Sequence, residues 1–154
     1  MWKNNDGTID NEDGFRGRNK FGSFGAIINS DEPGWELTSK WNYKQISKDD
    51  LIEVPSIMGA VYASSKEHWC YIQGLKMLRS YGNDESMMSI KTWLMGGKCY
   101  LMQYWGVGHL YRNDKPYATP RIDELFNQLL LVELFYDDKN KKNQILKGYE
   151  KRAG

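Results

Sequence analysis

With 154 residues the chain has the length of one domain and can bury a sizeable core, while a formal net charge of +1 supplies no overall field for nucleic acid or a membrane surface. No stretch is apolar for the length a membrane span needs, and the polar N-terminus does not read as a signal peptide. The only two cysteines, Cys70 and Cys99, lack paired metal spacing, so free buried thiols in a reducing, cytoplasmic setting are the simplest account.

Residues 1–20 are rich in Asn, Asp, Gly and Lys and read as a flexible N-terminal arm; the acids Asp6, Asp10, Glu12 and Asp13 lack the spacing of a calcium loop. Phe24 to Ile28 reads as a short strand. Asp31-Glu32-Pro33-Gly34 reads as a turn, and the alternation from Trp35 to Tyr43 reads as the second strand of a hairpin. Ser47 to Leu51 is polar and suits a turn. The run Val54 to Ser64 is apolar with small residues, which fits a buried central strand where Gly59 lets another backbone or a substrate come close. Ser65 is placed to cap a helix carrying His68, a half-buried helix residue rather than a ligand.

The stretch Tyr81 to Arg112 carries the most chemistry. Asn83 is placed as an N-cap, with Asp84 and Glu85 in the first helical turn, where the helix dipole favours acids. Met87, Ile90 and Leu94 recur at helical spacing, Gly96-Gly97 ends the helix, and strand formers run from Cys99 to Trp105. Gly106-Val107-Gly108-His109 then returns a histidine toward the same end of the sheet. Acids beside a histidine bind a metal or move a proton; acids in a first turn also serve simply as cap electrostatics, the plainer account on local chemistry alone. Thr119-Pro120 marks a helix start. Ile122, Leu125, Phe126, Leu129 and Val132 form an apolar stripe widened by Leu130, Leu131, Leu134 and Phe135. The Lys-rich tail from Lys139 to Arg152 reads as a solvated helix, with DNA contact a minor alternative.

These residues resemble the second half of a GT-A glycosyltransferase, in the branch of the polypeptide N-acetylgalactosaminyltransferases and related family-2-type enzymes. Tyr81, Gly82, Asn83 and Asp84 lie on that family's Trp-Gly-Gly-Glu positions. Ser89 and Trp93 match its helix, Gly96-Gly97 its end, and Val107, Gly108, His109 and Arg112 the final motif. The match runs without a gap from Tyr81 to Arg112 and departs at Tyr for Trp, Asn for Gly and Asp for Glu. Pro55 and Gly59 match a Thr-Pro-x-x-x-Gly-Gly strand, and Lys40-Trp41-Asn42 is similar to an aromatic segment before the acceptor loops.

The resemblance implies transfer of a sugar from a nucleoside-diphosphate sugar, most simply a UDP-sugar, to a hydroxyl acceptor on a glycan, a protein or a modified nucleic acid. It assigns Asp84 and Glu85 to catalysis or sugar contact. Trp41, Gly59, Tyr81, Gly82, Asn83, Arg112 and Tyr117 are assigned to substrate binding, with Tyr117 in a loop that folds over the donor. His109 is assigned to Mn²⁺ or Mg²⁺. It further implies an α/β fold: a partial GT-A-like mixed sheet with a β-hairpin and packed helices over 21–118, then a C-terminal helical extension over 119–154. Residues 16–117 cover only the acceptor side of such a domain, with no phosphate loop and no Asp-x-Asp. The expectation is therefore an enzyme needing a separate nucleotide-binding half, with a second chain or a homo-oligomer as its source. The rival is a non-catalytic glycan- or protein-binding module of the same descent.

Overall fold

A computed structural model describes residues 25–30, 32, 34–44, 47–59, 61–103 and 117–153, with side chains through residue 150. The expected N-terminal arm, His109 and Arg112 lie outside the described residues. The elements are β1 (Ala26–Ile28), β2 (Ser39–Trp41), β3 (Leu51–Val54), α1 (Lys66–Tyr71), α2 (Asp84–Leu94), β4 (Cys99–Met102), α3 (Arg121–Phe135) and α4 (Lys139–Ala153). Strands and helices are mixed, as expected. The described strands, however, form two separate antiparallel pairs, β1–β2 and β3–β4, rather than one mixed sheet.

The hairpin β1–β2 pairs Ala26 with Trp41, Ile27 with Lys40 and Ile28 with Ser39. The second strand is shorter than its alternation suggests, because 34–38 is drawn into a turn around the buried Asn29. Asn29 exchanges backbone bonds with Thr38 and Leu37, and its amide donates to the Trp35 carbonyl at 3.2 Å. In the second pair, Leu51 opposes Met102, Ile52 opposes Leu101, Glu53 opposes Tyr100 and Val54 opposes Cys99. The strand period of two puts Ile52, Val54 and Cys99 inward, against Ile57, Trp93 and Leu101. Leu51, Tyr100 and Met102 are left on the outer face. Cys99 is thus the buried thiol; Cys70, expected to be buried too, is exposed.

The central strand expected from Val54 to Ser64 ends at Val54. Pro55 has no N–H to offer a ladder, and the backbone groups around it are taken by side chains of α2. The Pro55 carbonyl accepts from Trp93 Nε1 at 2.9 Å, and the Ile57 N–H donates to Ser89 Oγ at 3.0 Å. Among the described residues of this segment only Ser56 keeps a bridge, to Ala26, and this bridge joins the two strand pairs. Around it four hydroxyls interlock. Ser39 Oγ lies 2.6 Å from Ser56 Oγ and 2.9 Å from Ser86 Oγ, and Ser56 Oγ lies 3.1 Å from Ser89 Oγ.

Helix α2 therefore buries Ser86, Met87, Met88, Ser89 and Thr92, while Leu94, expected in the core, is 70% exposed. The serines win this face because small hydroxyl side chains let the helix approach the bridge and satisfy its backbone groups. His68 is half-buried on α1, capped by Ser65, with Nε2 3.0 Å from Thr92 Oγ1, in line with the sequence reading.

In α3 the buried residues are Asn127, Gln128, Leu131 and Val132, whereas Ile122 and Leu134 of the expected stripe are exposed. The helix begins at Arg121, with Pro120 at the cap position and no side-chain cap bond from Thr119. The tail helix α4 is not solvated all round: Ile145 and Tyr149 are buried with Val132 in a second apolar cluster. No helix among the described residues is long and apolar enough to cross a membrane.

Candidate functional site

The site is built where Gly59 and Tyr62 meet the first turn of α2. The chain enters α2 through two left-handed residues, Gly82 at φ 94 and Asn83 at φ 65. Asn83 stands at the cap position but makes no side-chain cap bond; its amide instead donates to the Glu124 carbonyl of α3 at 3.4 Å. This turn leaves Asp84 and Glu85 half-buried at the helix mouth. The Tyr62 hydroxyl donates to Asp84 Oδ2 at 3.2 Å. A Cβ on Gly59 would collide with the Glu85 carboxylate, so the glycine makes room for that acid.

Burial pushes the Glu85 carboxyl up to about 7, and the neighbouring Asp84 charge adds to this, against the opposing pull of backbone N–H groups, that of Gly59 among them. Burial, then the Asp84 charge, pushes the Tyr62 phenol up to about 12. Tyr81 is raised as well, by burial first, then by Tyr117, Glu85, Asp84 and Glu124. Its ring lies 5.9 Å from that of Tyr117, tilted by 32°, and both rings are largely exposed. The ionisable neighbours that shift these groups are all acids or phenols. The mouth of α2 thus combines an aromatic surface with two adjacent acids, of which Glu85 keeps its proton up to about 7. That suits a neutral, polyhydroxylated ligand better than an anion.

Of the residues expected at the site, the structure brings together Gly59, Tyr81, Gly82, Asn83, Asp84, Glu85 and Tyr117. Trp41 ends β2, 43% exposed, and no hydrogen bond or ring contact joins it to this group among the described residues. The metal expected at His109 cannot be assembled from the described residues, where no three His, Cys, Asp or Glu side chains converge. The sequence reading overlooked Tyr62, Glu124 and Asn127. Asn127 did carry a signal: it and Gln128 are two amides interrupting the run of Leu and Phe in α3.

Comparison with known proteins bears on this geometry. The chain is 28% identical over 130 residues to polypeptide N-acetylgalactosaminyltransferase 3 of Homo sapiens, covering 78% of this chain and 20% of that protein. Its homologues are polypeptide N-acetylgalactosaminyltransferases. Transferase 6 of Mus musculus is 28% identical over 117 residues, covering 70% of this chain and 19% of its own length. Transferase 5 of the same organism is 30% identical over 100 residues, covering 60% and 10%. The chain thus spans about a fifth or less of the length of these N-acetylgalactosaminyltransferases. No family model matches it, and no solved structure matches it significantly.

Proposed function

We propose that Gly59, Tyr62 and the mouth of α2 form the sugar-holding part of a glycosyltransferase site. It would serve transfer of a hexose from a nucleoside-diphosphate sugar to a hydroxyl acceptor. The names of the homologues point to N-acetylgalactosamine as the sugar and a polypeptide as the acceptor. The observation that carries this reading is the Asp84–Glu85 pair, one carboxyl pushed up to about 7, set beside the exposed Tyr81 and Tyr117 rings.

Each group has a physical task. An aromatic face takes the C–H face of a pyranose ring. Tyr62 orients Asp84, which accepts from sugar hydroxyls. Glu85, titrating near neutrality, both accepts and donates a hydrogen bond at the working pH, so it serves a ring bearing hydroxyls of either orientation. In the transfer the anomeric carbon exchanges its bond to a diphosphate oxygen for one to the acceptor oxygen, and the acceptor hydroxyl proton passes to a carboxylate of the Asp84–Glu85 pair or to the departing diphosphate. The Asp84 and Glu85 carboxylates repel the departing diphosphate, and the neutral phenols of Tyr62 and Tyr81 bring no positive charge to offset this. The nucleotide-binding part is therefore proposed to come from sequence beyond these 154 residues, in the same or another chain. No step is routed through a metal.

The test is an NMR titration of the chain with N-acetylgalactosamine. The Tyr81, Tyr117 and Glu85 side-chain signals should shift. Tyr81→Ala should weaken binding about five- to tenfold, the equivalent of ~1 kcal/mol of ring contact. Affinity unchanged in both Tyr81→Ala and Asp84→Asn overturns the reading. Sugar binding that persists without transfer, even when a nucleotide-binding half is supplied, favours the glycan-binding module instead.

A further inference from the structure

The loop that delivers Tyr81 and the acid pair is fixed from below by one side chain. Asn127 of α3 is fully buried. Its Oδ1 accepts from the Arg79 N–H at 2.8 Å, and the two hydrogens of its Nδ2, one of them shared, serve the carbonyls of Arg79, Tyr81 and Gly82 at 2.8, 3.0 and 2.9 Å. One amide thus serves four backbone groups of a segment that has no regular ladder of its own. Buried backbone groups need partners, and residues 79–82 find them in this side chain. The rest of α3 reinforces the hold. Glu124 Cγ lies where a Cβ on Gly82 would meet it at 3.1 Å, Ser80 donates to Asp123 at 2.7 Å, and the Arg79 guanidinium lies 3.6 Å over the Phe126 ring.

We propose that Asn127 is the positioning residue of the site. By fixing the carbonyls of 79, 81 and 82, it sets the left-handed entry through Gly82 and Asn83, and hence the placement of the Tyr81 ring and of the Asp84–Glu85 pair. The role in sugar binding rests on the function proposed above; the placement of the acids does not. Glu85 is faced by Asp84 at its side, by the Gly59 N–H across the loop, and by Tyr62 and Tyr81. Releasing the loop lets water into this group.

The experiment uses the full chain with two readouts: the Glu85 carboxyl titration followed by carbon-13 NMR, and binding of N-acetylgalactosamine. In Asn127→Ala the Glu85 midpoint should fall from about 7 toward the ordinary 4.5, with loss of sugar binding. Asn127→Ser, which keeps one acceptor and one donor, should lie between. Gln128→Leu is the control. It is equally buried on the same helix, its Oε1 has no hydrogen-bond partner among the described residues, and it should leave the midpoint unchanged. A folded Asn127→Ala protein with the wild-type midpoint overturns the proposal even if sugar binding is lost. A shifted midpoint in a chain whose wild type binds no sugar sustains the positioning role and removes the sugar reading. Failure of both Asn127 variants to fold makes the residue a determinant of the fold and likewise overturns the proposal.

Discussion

Glu85 sits in a folded-state environment that favours its proton. Its midpoint moves from 4.5 to about 7, so between those values the folded chain binds more protons than the unfolded one. Stability is therefore fullest below pH 4.5 and declines as pH rises toward about 7, where the charged form must be accommodated beside Asp84. Glu85→Gln keeps the shape and removes that charge. It should be more stable than wild type above about pH 8, on the order of 2 kcal/mol after allowing for partial solvent screening, and should lose the advantage in acid. Chemical denaturation at the two pH values measures this; equal differences at both would contradict the account. Gly59 is the complementary case. Gly59→Ala places a methyl where the Glu85 carboxylate lies, and should cost about 1–3 kcal/mol and displace the acid. A crystal structure or Glu85 titration of the variant would show whether the carboxylate has moved.

At the scale of elements, the serine cluster explains why α2 turns a polar face inward. Ser89 accepts from the Ile57 N–H, donates to the Glu85 carbonyl at 2.6 Å, and meets Ser56 Oγ. Ser89→Ala leaves the Ile57 N–H without that acceptor and should destabilise by about 1–3 kcal/mol, more than the same change at an exposed helix position. Thermal unfolding of the two variants side by side checks this. The helical period of α2 was legible in the sequence, but its buried face only in part: Met87 is buried as expected, Ile90 is half-buried and Leu94 is exposed. Hydrophobicity pointed to Leu94, whereas hydrogen-bond partners selected Ser89 through the segment around Pro55, Ser86 through Ser39 and Thr92 through His68. The same happened in α3, where leucines suggested a broad stripe and the loop 79–82 selected Asn127.

At the scale of the whole molecule, two apolar clusters are evident among the described residues. One lies between β3, β4 and α2; the other lies between α3 and α4. Helix α3 bridges them, since its Asn127 holds the loop leading into α2 while its Val132 meets Ile145 and Tyr149 of α4. Ile145→Ala, by opening a cavity on that far side, should cost about 2–5 kcal/mol in urea unfolding. A loss below that of an exposed Leu146→Ala would mean that α4 contributes little to the fold.

The sequence by itself determined the local pieces: the hairpin, the Ser65 cap, the acids in the first turn of α2, the left-handed Gly96 at its end, and the likeness to the transferases. Each depends on interactions spanning only a few residues, or on a linear motif. Tertiary structure alone decided what those pieces meet. Tyr62 reaches Asp84 across 22 residues and Asn127 reaches Arg79 across 48, pairings that no periodicity encodes. It also stopped the expected central strand at Val54, because side chains of α2 satisfied the backbone groups that a neighbouring strand would otherwise have paired.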